Sequence, residues 1–393
     1  MPSKTSVIPR FRSLSMADRR RVLAAVAAID EAAITDAVSQ GGLDLETADR
    51  MIENAVGTLA LPFGIALNVQ VNGTDYLVPM AIEEPSVVAA ASHAAKRVRA
   101  AGGFQATMDE SLMAAQIEIH DVPSADAALT RVRGARAELL ALANRAVPGL
   151  VERGGGARDI TVRDLGEGFL VAHVLVDCCD AMGANLLNTV AEALGDRVAE
   201  LSGGELGLRI LSNFCDRRVA RVTARIPVAD FGCSHTSGFE AARGVVNASR
   251  FAELDPYRAV THNKGIMNGV DAVVLATGND WRAVEAAAHA YAARSGRYAP
   301  LATWRLIDGG RVLEGRLEIP LSLGIVGGAL RAHRGARLAL QLLGAKSSAD
   351  LAMVTAAAGL ATNLSALRAL ATEGIQRGHM ALHHRASAPS ISR

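Results

Sequence analysis

The chain is short of cysteine, of net charge, of long apolar runs and of familiar cofactor signatures, and each shortage closes off a class of protein. Its four cysteines are Cys178, Cys179, Cys215 and Cys233. The adjacent pair is neither a zinc pattern nor a redox CxxC, so these read as reduced, mostly buried thiols. The histidines include no HExxH and no spaced Cys/His set, which predicts no metal. With 41 basic and 40 acidic residues the net charge is +1. No Lys/Arg block tracks a phosphate backbone, so a nucleic-acid partner is not expected. Apolar runs such as residues 169–176 fall far short of a bilayer span, and the first fifteen residues hold no signal-length apolar stretch. A cytoplasmic protein without a membrane partner is the expectation. No GxGxxG follows a strand, which argues against a Rossmann domain. No Cys-His or Ser-His-Asp pattern sits at a recognisable elbow, which argues against a thioester hydrolase or transferase.

What is present is apolar material and a mixed α and β pattern. Half of the 393 residues are hydrophobic, enough for two or three domains. Ser15 to Asp18 resembles a capping box ahead of a helix over 21–29. Alternation around Asn72-Gly73 predicts a hairpin over 69–79. Pro85 opens a helix over 86–101 that Gly102-Gly103 stops. From 108 to 215 the order is β-α-β-β-α-β: strands near 112–122, 160–162, 169–177 and 206–211, with helices over 126–146 and 181–194, the second ending at Gly195. This predicts a small α+β domain inserted in a larger one. The remainder is a strand over 218–226 and Ala-rich helices. Asn279-Asp280 opens one to residue 294, Ser347 caps another over 351–360, and a third covers 365–372. The tail 386–393 reads as disordered.

Four segments recur in order with a known family. They are Glu53 to Thr58 with Pro79 to Ser86 (PMAIEEPS), then Asp180 to Asn185 (DAMGAN). Next come Asp255 to Arg258 through His262 to Gly269 (HNKGIMNG) with Thr277 to Trp281 (TGNDW), and finally Glu373 to Met380 (EGIQRGHM). With these motifs the chain resembles the class II, bacterial and soluble, HMG-CoA reductases over about residues 8–385. The resemblance implies interconversion of 3-hydroxy-3-methylglutaryl-CoA and mevalonate by two hydride transfers from a nicotinamide. It implies a large helix-rich substrate domain (1–107 and 216–376) around an inserted ferredoxin-like, non-Rossmann dinucleotide-binding domain (108–215). It also implies a homo-oligomer built on dimers with shared active sites.

Reducing a thioester to an alcohol needs a cation for the oxyanion, an acid for the alkoxide and an acid for the CoA thiolate. Lys264 is the candidate cation; its Gly/Asn-rich surroundings read as a turn lining a pocket, and locally it also reads as a surface lysine. Glu84 is the candidate acid, chosen over Glu83 by the resemblance. It is expected at the N-terminal end of the Pro85 helix, where the dipole favours its ionised form. Asp280 is implied to bridge the two; locally it is a plain helix-opening aspartate. His379 is implied to protonate the thiolate, with His383 and His384 as competitors. The resemblance gives Ser86, Arg258, Asn268 and Asn213 to the substrate and Arg12 to the CoA phosphates. Asp180, Met182, Gly183 and Asn185 would meet the cofactor pyrophosphate at a helix N-terminus.

Two departures stand out. NADH-using members carry an Asp after Leu-Ala-Asn-Arg; here Leu142 to Arg145 is followed by Ala146-Val147. Val147 cannot repel a 2′-phosphate and Arg145 lies close, so NADH and NADPH both stay open, with a lean to NADH from overall similarity. Only fourteen residues follow His379, so the helical flap of the family is expected to be largely missing, with 377–393 as its remnant. This keeps a second reading alive: a homologue that binds CoA ligands with little turnover.

Overall fold

The computed structural model describes residues 5–233 and 235–372. A hairpin comes first, β1 (Phe63–Val71) and β2 (Thr74–Ala81), paired antiparallel. Asn72 and Gly73 both take positive φ, 50° and 79°, the backbone a two-residue primed turn requires. A bulge at Asn68 bends β1, and its side-chain amide donates to the Ser92 carbonyl at 3.2 Å. The hairpin is thereby held on the helix Val87–Ala100.

The first four-stranded sheet runs β3 (Gln105–Met108), β8 (Val219–Pro227), β10 (Val312–Pro320), β9 (Ala302–Ile307), every neighbour antiparallel. It shares one apolar core with the hairpin and with the helices Pro256–Ala276 and Ser348–Ala371. The second sheet runs β5 (Gly156–Gly166), β6 (Phe169–Asp177), β4 (Leu112–His120), β7 (Glu205–Leu211), again antiparallel. With the intervening helices this is the expected β-α-β-β-α-β order. Its core is separate, drawn from Met113 to Cys215. Strand β4 alternates buried and half-buried side chains because one face meets the helices.

Four expectations change. The helix expected over 126–146 is two, Ala125–Gly134 and Arg136–Ala146, broken at Ala135 (φ −86°, ψ 7°). Gly195 does not end its helix, which runs Ala184–Ser202 and stops at left-handed Gly203. A Cβ at Gly195 would lie 2.8 Å from Arg209 Cδ and 3.0 Å from Leu206, so glycine there admits β7. The helices expected over 351–360 and 365–372 are one. Asn363, in the gap left between them, is buried: it accepts from Trp304 Nε1 at 2.8 Å and lies 3.1 Å from His262 Nε2. Among the described residues this helix alone is long and apolar enough to cross a membrane, and it is mostly buried inside the fold, as a core helix apolar all round must be. Finally, HNKGIMNG is no turn; it lies inside Pro256–Ala276.

Candidate active site

The helix Pro256–Ala276 starts cleanly. Asp255 accepts from Arg258 N at 2.9 Å and Pro256 fills the first position, where a missing N–H costs nothing. Gly269 serves packing, not a turn: a Cβ there would lie 2.5 Å from the Ala358 carbonyl oxygen, whereas one at Gly265 would meet nothing within 4 Å. Asn263 and Ile266 are buried, whereas Lys264, Asn268, Asp271 and Leu275 stay exposed or half-buried at helical spacing. One face of the helix is therefore open, and Lys264 is on it.

Lys264 Nζ donates to Glu84 Oε2 at 2.9 Å, joining residues 180 apart in sequence. Glu84 does not cap the helix after it. That helix begins at Val87, and Ser86 holds the N-cap position at φ 82° without a capping bond. Glu84 is turned to the lysine instead, so the helix dipole is not its governing neighbour. The lysine side chain is 61% exposed and the glutamate 29%. An ion pair this open adds about 1 kcal/mol or less to stability; its charges are available to a ligand. Ser86 Oγ, two residues on, is buried with no hydrogen-bond partner. Among the described residues no carboxylate pairs with the Arg258 guanidinium, and partial burial pushes its pKa below the usual arginine range. Asn268 is half-buried on the open face, while Asn213 and Arg12 are exposed. No hydrogen bond or ion pair joins either of those two to the Glu84–Lys264 pair.

A separate cleft of about 320 Å³ lies where the second sheet's unit meets the rest. Met182, Gly183 and Asn185 form one wall; Asn279, Asp280 and Gly324 form the other. Gly183 takes φ 110° directly before the helix Ala184–Ser202, and a Cβ there would collide with Cys178 Sγ. The turn thus offers bare backbone and a helix N-terminus, the arrangement that suits a phosphate. Asp180 does not line the cleft. Its carboxylate accepts from Ser348 N at 2.7 Å and its carbonyl from Ile325 N at 3.0 Å, so it fastens the turn to the larger unit. Asp280 caps its own helix, accepting from Arg282 N and Ala283 N at 3.1 Å each, with the Arg282 guanidinium 3.4 Å away. It makes no bond to Lys264 or Glu84. The bridge expected of it is absent within one chain, because its oxygen satisfies the orphan amides of the helix it opens.

Sequence reasoning missed Arg218. It is 1% exposed, and it donates to the Ala181 and Met182 carbonyls at 3.2 Å each and to the Leu323 carbonyl at 2.6 Å. This guanidinium fixes the cleft turn from beneath; a basic residue at the edge of a strand gave no signal of it. Val147 is 5% exposed and packs in the small unit's core, so its side chain is not offered to a cofactor, whereas Arg145 is exposed. The four cysteines are free. Burial pushes the Cys178 thiol up to about 12, which leaves it inert. His379 and residues 377–393 lie outside the described residues.

Comparison with known proteins gives this geometry a family. The family model "Hydroxymethylglutaryl-coenzyme A reductase" matches residues 15–384. A 3-hydroxy-3-methylglutaryl-coenzyme A reductase of Archaeoglobus fulgidus is 46% identical over 384 residues, 97% of this chain and 86% of that one. A probable enzyme of the same kind from Borreliella burgdorferi is 36% identical over 85% of this chain and 76% of its own. The class II reductase of Streptococcus pneumoniae, solved bound to NADPH in open conformations, superposes with a TM-score of 0.89 at 41% identity, covering 93% of this chain and 99% of that one. With a paired lysine and glutamate on one face and a glycine-lined helix N-terminus on another, this chain belongs to the class II hydroxymethylglutaryl-coenzyme A reductases, oxidoreductases that depend on NAD(P)H.

Proposed function

We propose that the Glu84–Lys264 pair is the reacting centre of this reductase. The observation that carries the proposal is the 2.9 Å contact between an open ammonium and a carboxylate beside an orphaned serine hydroxyl. The ammonium of Lys264 holds the substrate carbonyl oxygen as it gains negative charge. The first reduction makes a hemithioacetal, whose collapse expels the CoA thiolate and leaves an aldehyde. The second makes an alkoxide, which takes its proton from the Lys264–Glu84 pair. The thiolate is assigned to His379. Reduced nicotinamide supplies both hydrides when bound. Ser86 and Arg258 receive the hydroxyl and carboxylate of the acyl group, a role that an unpaired guanidinium and an unpaired hydroxyl suit. Asn268, on the same open face, joins them; Asn213 and Arg12 are carried by the resemblance alone.

The cofactor belongs in the cleft of Met182, Gly183 and Asn185, with Asp280 in the facing wall. Residues 108–215 are the cofactor unit, residues 1–107 and 216–376 the substrate unit, and 377–393 the flap segment. The twelve steps along the helix from Lys264 to Ala276 rise about 18 Å, and Asp280 lies beyond that helix's last residue, opening the next one. That distance is more than a lysine side chain covers. A second copy of the chain therefore supplies the cleft that faces each Lys264. Val56 and Leu59, on the extended segment after the helix Leu45–Met51, are fully exposed apolar side chains available for that contact. We place this dimer in the cytoplasm. No carboxylate stands at 147 and Arg145 is exposed, so NADPH is accepted as well as NADH; no structural observation supports the lean to NADH.

Initial rates with HMG-CoA and each nicotinamide, followed by loss of reduced-nicotinamide absorbance, test the reading. Oxidation of either supports it. A folded protein that binds CoA saturably and oxidises neither would sink it and favour a ligand-binding homologue.

A further inference from the structure

On the open face of the Lys264 helix, two turns beyond the lysine, Asp271 faces Glu285 of the helix Trp281–Ala292. The other oxygen of Asp271 is buried with no partner. Behind Glu285 a chain of contacts leads back to the same helix. Glu285 Oε2 lies 2.6 Å from His289 Nε2, and His289 Nδ1 lies 2.7 Å from the Tyr298 hydroxyl. Asn263 Nδ2 donates to that hydroxyl at 3.1 Å and to the Ala299 carbonyl at 3.0 Å. The directions follow from one end. Asn263 donates, so Tyr298 accepts there and gives its own proton to His289 Nδ1. His289 then carries its hydrogen on Nε2 and donates to Glu285. Glu285 is the acceptor at the end of the chain, so its contact with Asp271 requires a proton, and that proton sits on Asp271.

We propose that Asp271 and Glu285 are positioning residues for the reduction: one shared proton pins the helix that carries Lys264 and Asn268 to the helix that Asp280 opens. The network grips the Lys264 helix at Asn263 and Asp271, on either side of Lys264 and Asn268. Burial first and Glu285 second push Asp271 up to about 8. Glu285 is the charged group among the described residues that bears on it; His289 and Tyr298 stand behind Glu285. Above that pH two carboxylates face each other across the helix contact, and the helices part. The folded pKa is raised, so stability from this group is full below the unfolded value of 3.8 and is lost as pH rises to about 8.

The proposal rests on the reading of Lys264 as the reacting cation, so the test has one arm that needs no turnover. Native protein, Asp271→Asn, Asp271→Ala and Glu285→Gln are compared for kcat and KM against pH and for denaturant stability against pH. Native kcat is expected to fall above about pH 8. Asp271→Asn keeps the hydrogen bond without the titration, so its fall moves up by roughly one unit or more. Asp271→Ala lowers kcat on the order of tenfold with KM little changed, as a misplaced group does, and asparagine restores most of it. Glu285→Gln removes the repelling charge and the alkaline fall, and serves if Asp271→Asn does not fold. Rate profiles of the folded variants that superimpose on the native one overturn the proposal. A profile of stability against pH between 4 and 8 that is parallel in Asp271→Asn and the native protein overturns the shared proton. A native profile that departs from that of Asp271→Asn, with no turnover at any pH, overturns the functional reading, and the positioning role with it.

Discussion

The two four-stranded sheets anchor units built by opposite rules. The sheet β5-β6-β4-β7 closes within residues 112–211, a single stretch of chain, over an apolar core. Its one fully buried polar side chain among the described residues is Ser202, at a helix end. The sheet β3-β8-β10-β9 gathers strands from residues 105 to 320, and its unit buries His262, Asn263, Asn363, Ser249 and Arg218. Buried polar groups cost free energy unless they are bonded, so they appear where a particular register has to be held. The contiguous unit presents a glycine turn and a helix N-terminus. The discontinuous unit holds an exposed lysine against a glutamate 180 residues away. The comparison places scaffold demands on one unit and alignment demands on the other.

The sharpest way to break that division is Lys264→Ala. If the alignment side carries the chemistry, kcat falls on the order of a thousandfold, the loss expected for an oxyanion-stabilising group. Nicotinamide binding, measured by fluorescence titration, stays as it was, because the cleft turn belongs to the other unit. A rate within tenfold of native, or a parallel loss of cofactor affinity, would erase the distinction.

Acid should then find the larger unit first. His262 is 1% exposed, and burial chiefly, with Arg258 nearby, holds its pKa down at about 4 against an ordinary 6.5. A base depressed by folding is neutral in the native state and must take up a proton once unfolded. Its contribution is therefore present above about 6.5 and is lost as pH falls to about 4. The gap corresponds to about 3 kcal/mol. Urea unfolding at several pH values in that window, for the native protein and His262→Gln, isolates the term from the carboxylates. Equal slopes in the two would mean that the histidine contributes nothing to acid sensitivity.

The same contrast explains what could be read from the chain in advance. The β-α-β-β-α-β order of the small unit was legible because strands there alternate and turns follow local chemistry. The hairpin was legible through Asn72-Gly73. In the larger unit local composition misled. Gly265, Asn268 and Gly269 look like turn residues, yet they lie in a helix whose glycine admits another helix's backbone. The gap left between the helices expected over 351–360 and 365–372 is itself helix, and the Asn363 side chain in it is the hub between His262 and Trp304. Glu84 and Lys264 were found by motif, but no local rule brings them together, and Arg218 gave no signal because its partners are carbonyls from two distant segments. Val147 shows the limit of alignment: the position was identified, but the burial of its side chain was not.

Two glycines misread or overlooked in sequence give the finest test, one from each unit. Alanine in a helix interior gains about 1 kcal/mol over glycine by propensity, so each substitution starts from a credit that contact must overcome. At Gly195 the new methyl meets the Arg209 side chain at 2.8 Å and Leu206 at 3.0 Å, both of which can swing aside. Gly195→Ala should therefore change stability by about 0.5 kcal/mol or less, with either sign. At Gly269 the methyl meets the Ala358 carbonyl at 2.5 Å and Thr362 Oγ1 at 2.6 Å, and a helix backbone cannot swing. Gly269→Ala should cost about 2 kcal/mol net and shift the helix that carries Lys264, so turnover falls as well. Denaturant melts of the two variants beside their rates decide it. Equal costs, or a Gly269→Ala enzyme with native turnover, would mean that the larger unit does not hold its register more tightly than the smaller one.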